Sequence, residues 1–347
     1  MSTAVLRPGD ASSDLRRRAL ARSTSIALVL VVAVFAAFCV TISVGDFPIP
    51  LRDVVPAIFG AGSEDAEFIV RTLRLPRALT GVLVGASFGV SGAIFQSLAR
   101  NPLASPDIIG IDAGASAAAV FCIVVLHASA GFTAVGALAG ALLAAFTIYV
   151  LAWRGGVSPY RLVLVGIGIA ALLTSVVQYL LTRAEIFEAQ RAVVWLTGSL
   201  NGRGWEHVRT VAFADLLLVP VVIALLRPLR LLQLGDDAAR GLGVSVERSR
   251  LLLVLVAVAL AALATAAAGP VVFVAFVSPP IARRLTGAPL AVGCSALLGA
   301  LVVLLSDLVA RRAFAPTELP VGVVTGVVGA PYLLWLLARS NRVGRGG

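Results

Sequence analysis

Metal-ligating chemistry has few residues to draw on here: three cysteines, two histidines and one methionine in 347 residues. Cys39, Cys122 and Cys294 each sit in an apolar run, where a free thiol behaves as a small hydrophobe. No C-x-x-C or H-x-x-x-H spacing occurs, and His127 and His207 stand 80 residues apart, each read as a loop residue. Neither a reactive thiolate nor a zinc site follows from such a set. There is also no lysine, so all 28 basic residues are arginine. A phosphate-cradling P-loop needs its lysine, and Schiff-base chemistry needs an amine. Work driven by ATP would therefore use nucleotide bound by another polypeptide. No nucleophile–base set and no pair of carboxylates on one helical face is visible, which argues against an enzyme. Three carboxylates do lie in apolar surroundings: Asp112, Asp215 and Asp307. A carboxylate at the centre of a membrane helix costs roughly 2.5–3.5 kcal/mol and is kept for a reason. Proton coupling is one such reason. For Asp307 another is nearer, because Arg311 follows at i+4 on the same helical face. Asp215 is expected within a turn or two of the outer end of its span, and Asp112 at the polar entrance of another.

The elements that must hold these residues are membrane helices. Apolar side chains make up 59% of the chain and charged ones only 13%, with a mean hydropathy of +0.99. Ordinary soluble domains carry about 25% charge, so this chain has too little polar surface to cover a body in water. A soluble enzyme, a DNA-binding domain and a disordered scaffold are all excluded. A span needs about 20 mostly apolar residues. The first such run, Ser25–Val44, follows Arg16, Arg17, Arg18 and Arg22. It is longer than a signal-peptide core and lacks a cleavage site, so it reads as a retained span. Others follow at 78–98, 108–126, 131–153, 161–182 and 208–226. The run 251–282 contains Gly269-Pro270 and is split there into a seventh and a shorter eighth span. Runs at 290–310 and 320–338 complete ten. With the N-terminus inside, 18 arginines fall in inner segments and 10 in outer ones. The same assignment puts six acids inside and nine outside. Both imbalances predict cytoplasmic termini. The division is then a tail at 1–24, a ten-helix membrane domain at 25–339 and a tail at 340–347. The net charge of +10 suits inner-leaflet phospholipid and requires no nucleic acid.

Two polar segments are long enough to fold. The outer one, 183–207, carries Trp195 and Trp205 and reads as a short helix lying at the membrane interface. The inner one, 227–250, contains Leu234-Gly235-Asp236-Asp237-Ala238-Ala239-Arg240-Gly241-Leu242-Gly243. Asp236 and Asp237 suit a helix N-terminus, Arg240 its later turn, and Gly241 or Gly243 its end. A short amphipathic helix on the cytoplasmic face is a handle for a partner protein or a helix resting on lipid.

The ordered set Arg74-Leu75-Pro76-Arg77, Gly81, Gly85, Ser91-Gly92, Gln96, Asn101-Pro102-Leu103-Ala104, Pro106, Gly110 and Gly114-Ala115 forms a long signature. A second run adds Gly269-Pro270, Phe273-Val274, Pro279, Ile281-Ala282-Arg283, Gly287, Asp307, Ala310-Arg311, Glu318-Leu319-Pro320-Val321-Gly322 and Gly329-Ala330-Pro331. Together they resemble the FecCD family, the permease subunits of ABC importers for iron–siderophore complexes, haem and cobalamin. The resemblance implies an all-α polytopic membrane protein of the type II ABC importer permease fold, with ten transmembrane helices and both termini cytoplasmic. It implies a bacterial inner-membrane location and a pore built with a second permease subunit, identical or paralogous. It also implies two cytoplasmic ABC ATPase subunits that hold ATP-Mg, an extracytoplasmic binding protein, and no cofactor on this chain. Ferric siderophore is the favoured cargo, with haem or cobalamin as alternatives and a proton-coupled secondary transporter as a further one. Chelated iron travels inside its own ligand shell, which agrees with the scarcity of Cys, His and Met. By the same resemblance Arg74, Arg77 and Arg311 meet acidic groups of the binding protein, unless they anchor to headgroups. Residues 234–243 correspond to the coupling helices that enter a cleft of the ATPase, and Ser158-Pro159-Tyr160 to the cytoplasmic gate. The sequence departs from the family in Pro280, where His is frequent, in Ala275, where Gly is common, and in a short loop after Gly287. These changes raise a question about the local geometry of the eighth span.

Overall fold

The computed structural model describes residues 8–45, 47–154 and 159–343, and these fold into helices joined by turns. In chain order they are α1 (Pro8–Ser43), α2 (Leu51–Phe59), α3 (Glu64–Glu67), α4 (Leu75–Ala99), α5 (Pro106–Ile109), α6 (Ile111–Val124), α7 (Ala130–Ala152) and α8 (Pro159–Arg183). They continue with α9 (Ile186–Leu196), α10 (Trp205–Leu232), α11 (Asp236–Gly241), α12 (Val246–Ala268), α13 (Val274–Thr286), α14 (Val292–Arg312) and α15 (Val321–Val343). Among the described residues seven stretches are long and apolar enough to cross a membrane, and Ile111–Val124 and Val321–Leu336 are shorter apolar helices. Helix α1 starts at Pro8 and α15 runs to Val343, so regular structure extends well into both segments expected as tails. Residues 1–7 and 344–347 lie outside the described residues. The outer segment before α4 is also helical, through α2, α3 and a π-helical turn at Phe68–Arg74.

Helix α4 is the centre of the molecule. In its most apolar stretch 78% of residues are buried, against 17% in α8, which turns most of its side chains outward. Phe88, Ile94 and Phe95 of α4 are fully buried. Lipid is as apolar as leucine, so close backbone approach rather than water exclusion holds such helices together. The crossing of α4 and α14 shows this at Gly85 and Gly299, where a Cβ on either would overlap the other's carbonyl.

Backbone breaks inside the apolar region need internal hydrogen-bond partners, because no water is there to supply them. The third apolar run is one such break. Gly110, at φ +96°, separates α5 from α6 and packs on Gly166 and Ala170 of α8. The run 251–282 divides at Gly269-Pro270, as the sequence indicates, and α13 then starts from Phe273 at φ +66°. The Phe273 amide donates to Asp107 Oδ2 at 3.4 Å. Helix α13 runs unbroken through Pro279 and Pro280. Pro280 has no N–H to offer the carbonyl of Phe276 four residues back. Gln96 Nε2 donates to that carbonyl at 2.9 Å instead, and Gln96 Oε1 accepts from Arg283 Nη2 at 2.7 Å. The geometry left open by Pro280 is thus a continuous helix repaired from α4.

The segment 183–207 contains a short helix, α9, as expected, and one of its residues reaches into the bundle. Ala192 of α9 is fully buried in a cluster with Val120 and Ile123 of α6 and Val177 of α8. The chain beyond α9 reaches the α12–α13 break, where Ser199 N–H donates to Ala268 O at 2.7 Å. His207 lies in the first turn of α10 rather than in a loop.

Candidate functional site

Arg74, Arg77 and Arg311 line one depression of about 420 Å³, together with Phe47, Arg203, Arg312 and Glu318 among others. The π-helical turn and Pro76 in the first turn of α4 bring Arg74 and Arg77 there, and the last turns of α14 bring Arg311 and Arg312. Each guanidinium already has work within the chain. Arg74 is 9% exposed and donates to Ile42 O at 2.8 Å and Ser43 O at 3.1 Å. Arg311 donates to Thr41 O at 3.2 Å, and Arg312 to Gly45 O at 2.7 Å. The last carbonyls of a helix lack intrahelical donors and carry the negative end of its dipole. Arg74 and Arg311 therefore cap the end of α1 and Arg312 holds the turn after it, a role that sequence reading missed because the partners are backbone atoms 31 to 270 positions away.

Arg77 has acidic partners instead. Its Nε and Nη2 donate to Asp307 Oδ1 at 3.2 and 2.9 Å, and its Nη1 to Glu318 Oε2 at 3.0 Å. Asp307 Oδ2 faces Arg311 Nε at 3.2 Å, the i+4 pair expected from the sequence. The Asp307 side chain is 2% exposed, whereas that of Glu318 is 34% exposed. Across the depression, Arg203 donates to Ser199 O at 3.1 Å and lies 3.1 Å from His207 Nε2. Burial pulls the Arg203 pKa below the ordinary arginine value, and Glu206 works in the opposite direction. Five arginines and one carboxylate, Glu318, line the depression, so it is suited to an anionic group.

At the other end of α4 lies the segment 234–243. Its short helix α11 begins at Asp236 behind Gly235 at φ +116°, and Gly243 at φ +82° closes the following turn. Arg250 Nη2 reaches Asp236 Oδ1 at 2.8 Å and Arg100 Nη2 lies 3.7 Å from the same atom, while Arg240 pairs with Asp237 at 3.1 Å. Arg100 also donates to Leu232 O at 3.0 Å, so α11 is fastened to the ends of α4, α10 and α12. Ala239 is buried, but Leu234 and Leu242 are 65% and 56% exposed. Neither Ala238 nor Gly241 belongs to the core, and a Cβ built on Gly241 meets nothing within 4 Å. The result is a short helix tied to its neighbours by ion pairs and flanked by two outward-facing leucines.

The other residues singled out from the sequence are dispersed. Ser158 lies outside the described residues, Pro159 opens α8, and Tyr160 is 75% exposed. Asp112 is buried and accepts from Thr265 Oγ1 at 2.9 Å. Asp215, which accepts from Ser87 Oγ at 2.9 Å, stands ten residues into α10. Cys122 and Cys294 are buried, and His127 contacts Glu188. Among the described residues no three His, Cys, Asp or Glu side chains are grouped to hold a metal ion.

Residues 30–339 match the model of the FecCD transport family. The chain is 42% identical to the achromobactin transport system permease protein CbrC of Dickeya dadantii, over 97% of each chain. It is also 42% identical to the ferric enterobactin transport system permease protein FepG of Escherichia coli, over 86% of this chain and 91% of that one. Its fold is similar to a metal-chelate type ABC transporter in an inward-facing conformation, with a TM-score of 0.81 and 26% identity over 91% of this chain and 99% of that one. With nearly all of its length matched in sequence and fold, this chain is a multi-pass transport protein that belongs to the FecCD transport family.

Proposed function

We propose that this chain is the permease subunit of an ATP-driven importer that moves a ferric siderophore from an extracytoplasmic binding protein into the cytoplasm. The observation that carries the reading is the end-to-end match to permeases named for achromobactin and ferric enterobactin. The absence of lysine supports it, since the nucleotide chemistry is then delegated to a pair of ABC ATPase subunits. The chain pairs with a second permease subunit to enclose the path, and binds no cofactor of its own.

In this reading the ten runs are ten spans with both termini cytoplasmic, residues 1–24 and 340–347 form the cytoplasmic ends, and 25–339 the membrane domain. Helices α6, α13 and α15 are the short spans. The arginine depression is then the outer face and takes an acidic side chain of the binding protein, with Arg77 and Arg311 as its charged floor and Arg74 as a clasp for α1. Residues 234–243 form the inner face and seat in the ATPase through Leu234 and Leu242. Of the gate residues Ser158, Pro159 and Tyr160, the last two form the first turn of α8, at the cytoplasmic mouth where a gate would close, and Ser158 lies outside the described residues.

Purification of the tagged chain in mild detergent tests this proposal. Two ABC ATPases, a permease partner and a binding protein should co-purify, and the assembly should hydrolyse ATP faster when the loaded binding protein is added. Recovery of the chain without any ATPase overturns the proposal.

A further inference from the structure

The arginine that the docking reading needs is already occupied on both sides, but by two very different carboxylates. Asp307 is almost fully enclosed, bridges Arg77 and Arg311, and has no route to solvent. Glu318 reaches Arg77 Nη1 from the loop before α15, with a third of its side chain in water and the 420 Å³ depression beside it. An incoming carboxylate could take that one donor by displacing Glu318 without exposing or unpairing Asp307. We propose that docking is a carboxylate exchange on Arg77: an acidic side chain of the binding protein replaces Glu318, and Glu318 is released into water.

This inference rests on the docking reading above and adds a consequence to it. Glu318 lies three residues before α15, and the start of α15 is seated on the interrupted part of the bundle. Gly322 N–H donates to Gly198 O at 3.2 Å, and a Cβ on Gly322 would overlap Thr197 O. The same 197–200 turn is bonded to Ala268 at the end of α12. Releasing Glu318 leaves the α14–α15 loop held by fewer contacts, chiefly Leu319 N–H on Ala310 O at 3.0 Å. Contact with the binding protein is thereby passed to α15 through the loss of one ion pair. A carboxylate of this chain that occupies the docking cation also weakens adventitious anions, since each must first displace it.

The test uses the whole transporter in nanodiscs, with its ATPases and the binding protein that co-purifies with it. Glu318→Gln keeps the shape and removes the competing charge, so affinity for the binding protein should rise roughly fivefold, the scale of a partly exposed ion pair. Arg77→Gln should weaken binding, and in that background Glu318→Gln should have no further effect, which makes the pair a double-mutant cycle. In the unmodified protein, amide exchange over residues 313–321 should speed up when the binding protein docks. Unchanged or weaker binding by Glu318→Gln, while Arg77→Gln still weakens it, overturns the exchange and leaves the docking reading standing. Slower or unaltered exchange over 313–321 on docking overturns it without any variant. Unchanged affinity in both Arg77→Gln and Arg311→Gln overturns the docking reading itself, and the exchange with it.

Discussion

Asp307 is the residue on which the outer end of the protein depends. It neutralises Arg77 and Arg311 where little water reaches. Asp307→Asn leaves two enclosed guanidiniums facing each other with only Glu318 to share, and breaking a buried ion pair in this way costs about 3–5 kcal/mol. Thermal unfolding in detergent should show a large loss for Asp307→Asn and a loss below about 1 kcal/mol for Glu318→Gln, whose pair is partly screened by water. Comparable losses in the two variants would remove the distinction between a structural and a displaceable carboxylate. The Asp307–Arg311 pair was legible in the sequence because both residues share one helix face. The Arg77–Asp307 pair spans 230 positions and was not. The capping of α1 by Arg74 and Arg311 was equally hidden, since backbone carbonyls leave no mark in a sequence.

At the scale of the element, the two ends of α4 set what can be changed. Gln96→Leu leaves the Phe276 carbonyl without a donor in an apolar region and takes the acceptor from Arg283. An orphaned buried group of this kind costs about 1–3 kcal/mol, so Gln96→Leu should lower thermal stability, and Gln96→Glu should retain only the Arg283 contact. Gly85→Val forces apart the α4–α14 crossing and should reduce the folded protein recovered from membranes, at a cost of about 1–3 kcal/mol or more. Gly241→Val is different, because its side chain would enter open space. That variant should insert and fold normally but lose stimulation of ATP hydrolysis, as read from the ATPase rate with and without binding protein. Helix α11 was readable from its acids and glycines because caps are local chemistry. Continuity of α13 through Pro279-Pro280 was not, since the donor that repairs it lies 180 positions away. Helices α2, α3 and the π-helical turn escaped notice because short, mixed-polarity segments lack the long apolar run that marks a span.

For the whole molecule, composition carried the class, and the ordered signature carried the family. What composition left open was the depth of each break, because lipid-facing and buried helices are equally apolar. The central claim is that this chain forms an ATP-driven path for intact chelate and places no ligand on the iron. It is tested most directly by uptake of radio-iron siderophore into proteoliposomes holding the purified assembly. Uptake should require ATP and the binding protein, and should be insensitive to a protonophore. It should persist in a variant with Cys39, Cys122, Cys294, His127 and His207 all replaced by Ala or Ser. Uptake that proceeds without ATP and collapses with the proton gradient, or that vanishes in the five-fold variant at unchanged protein abundance, would contradict the claim.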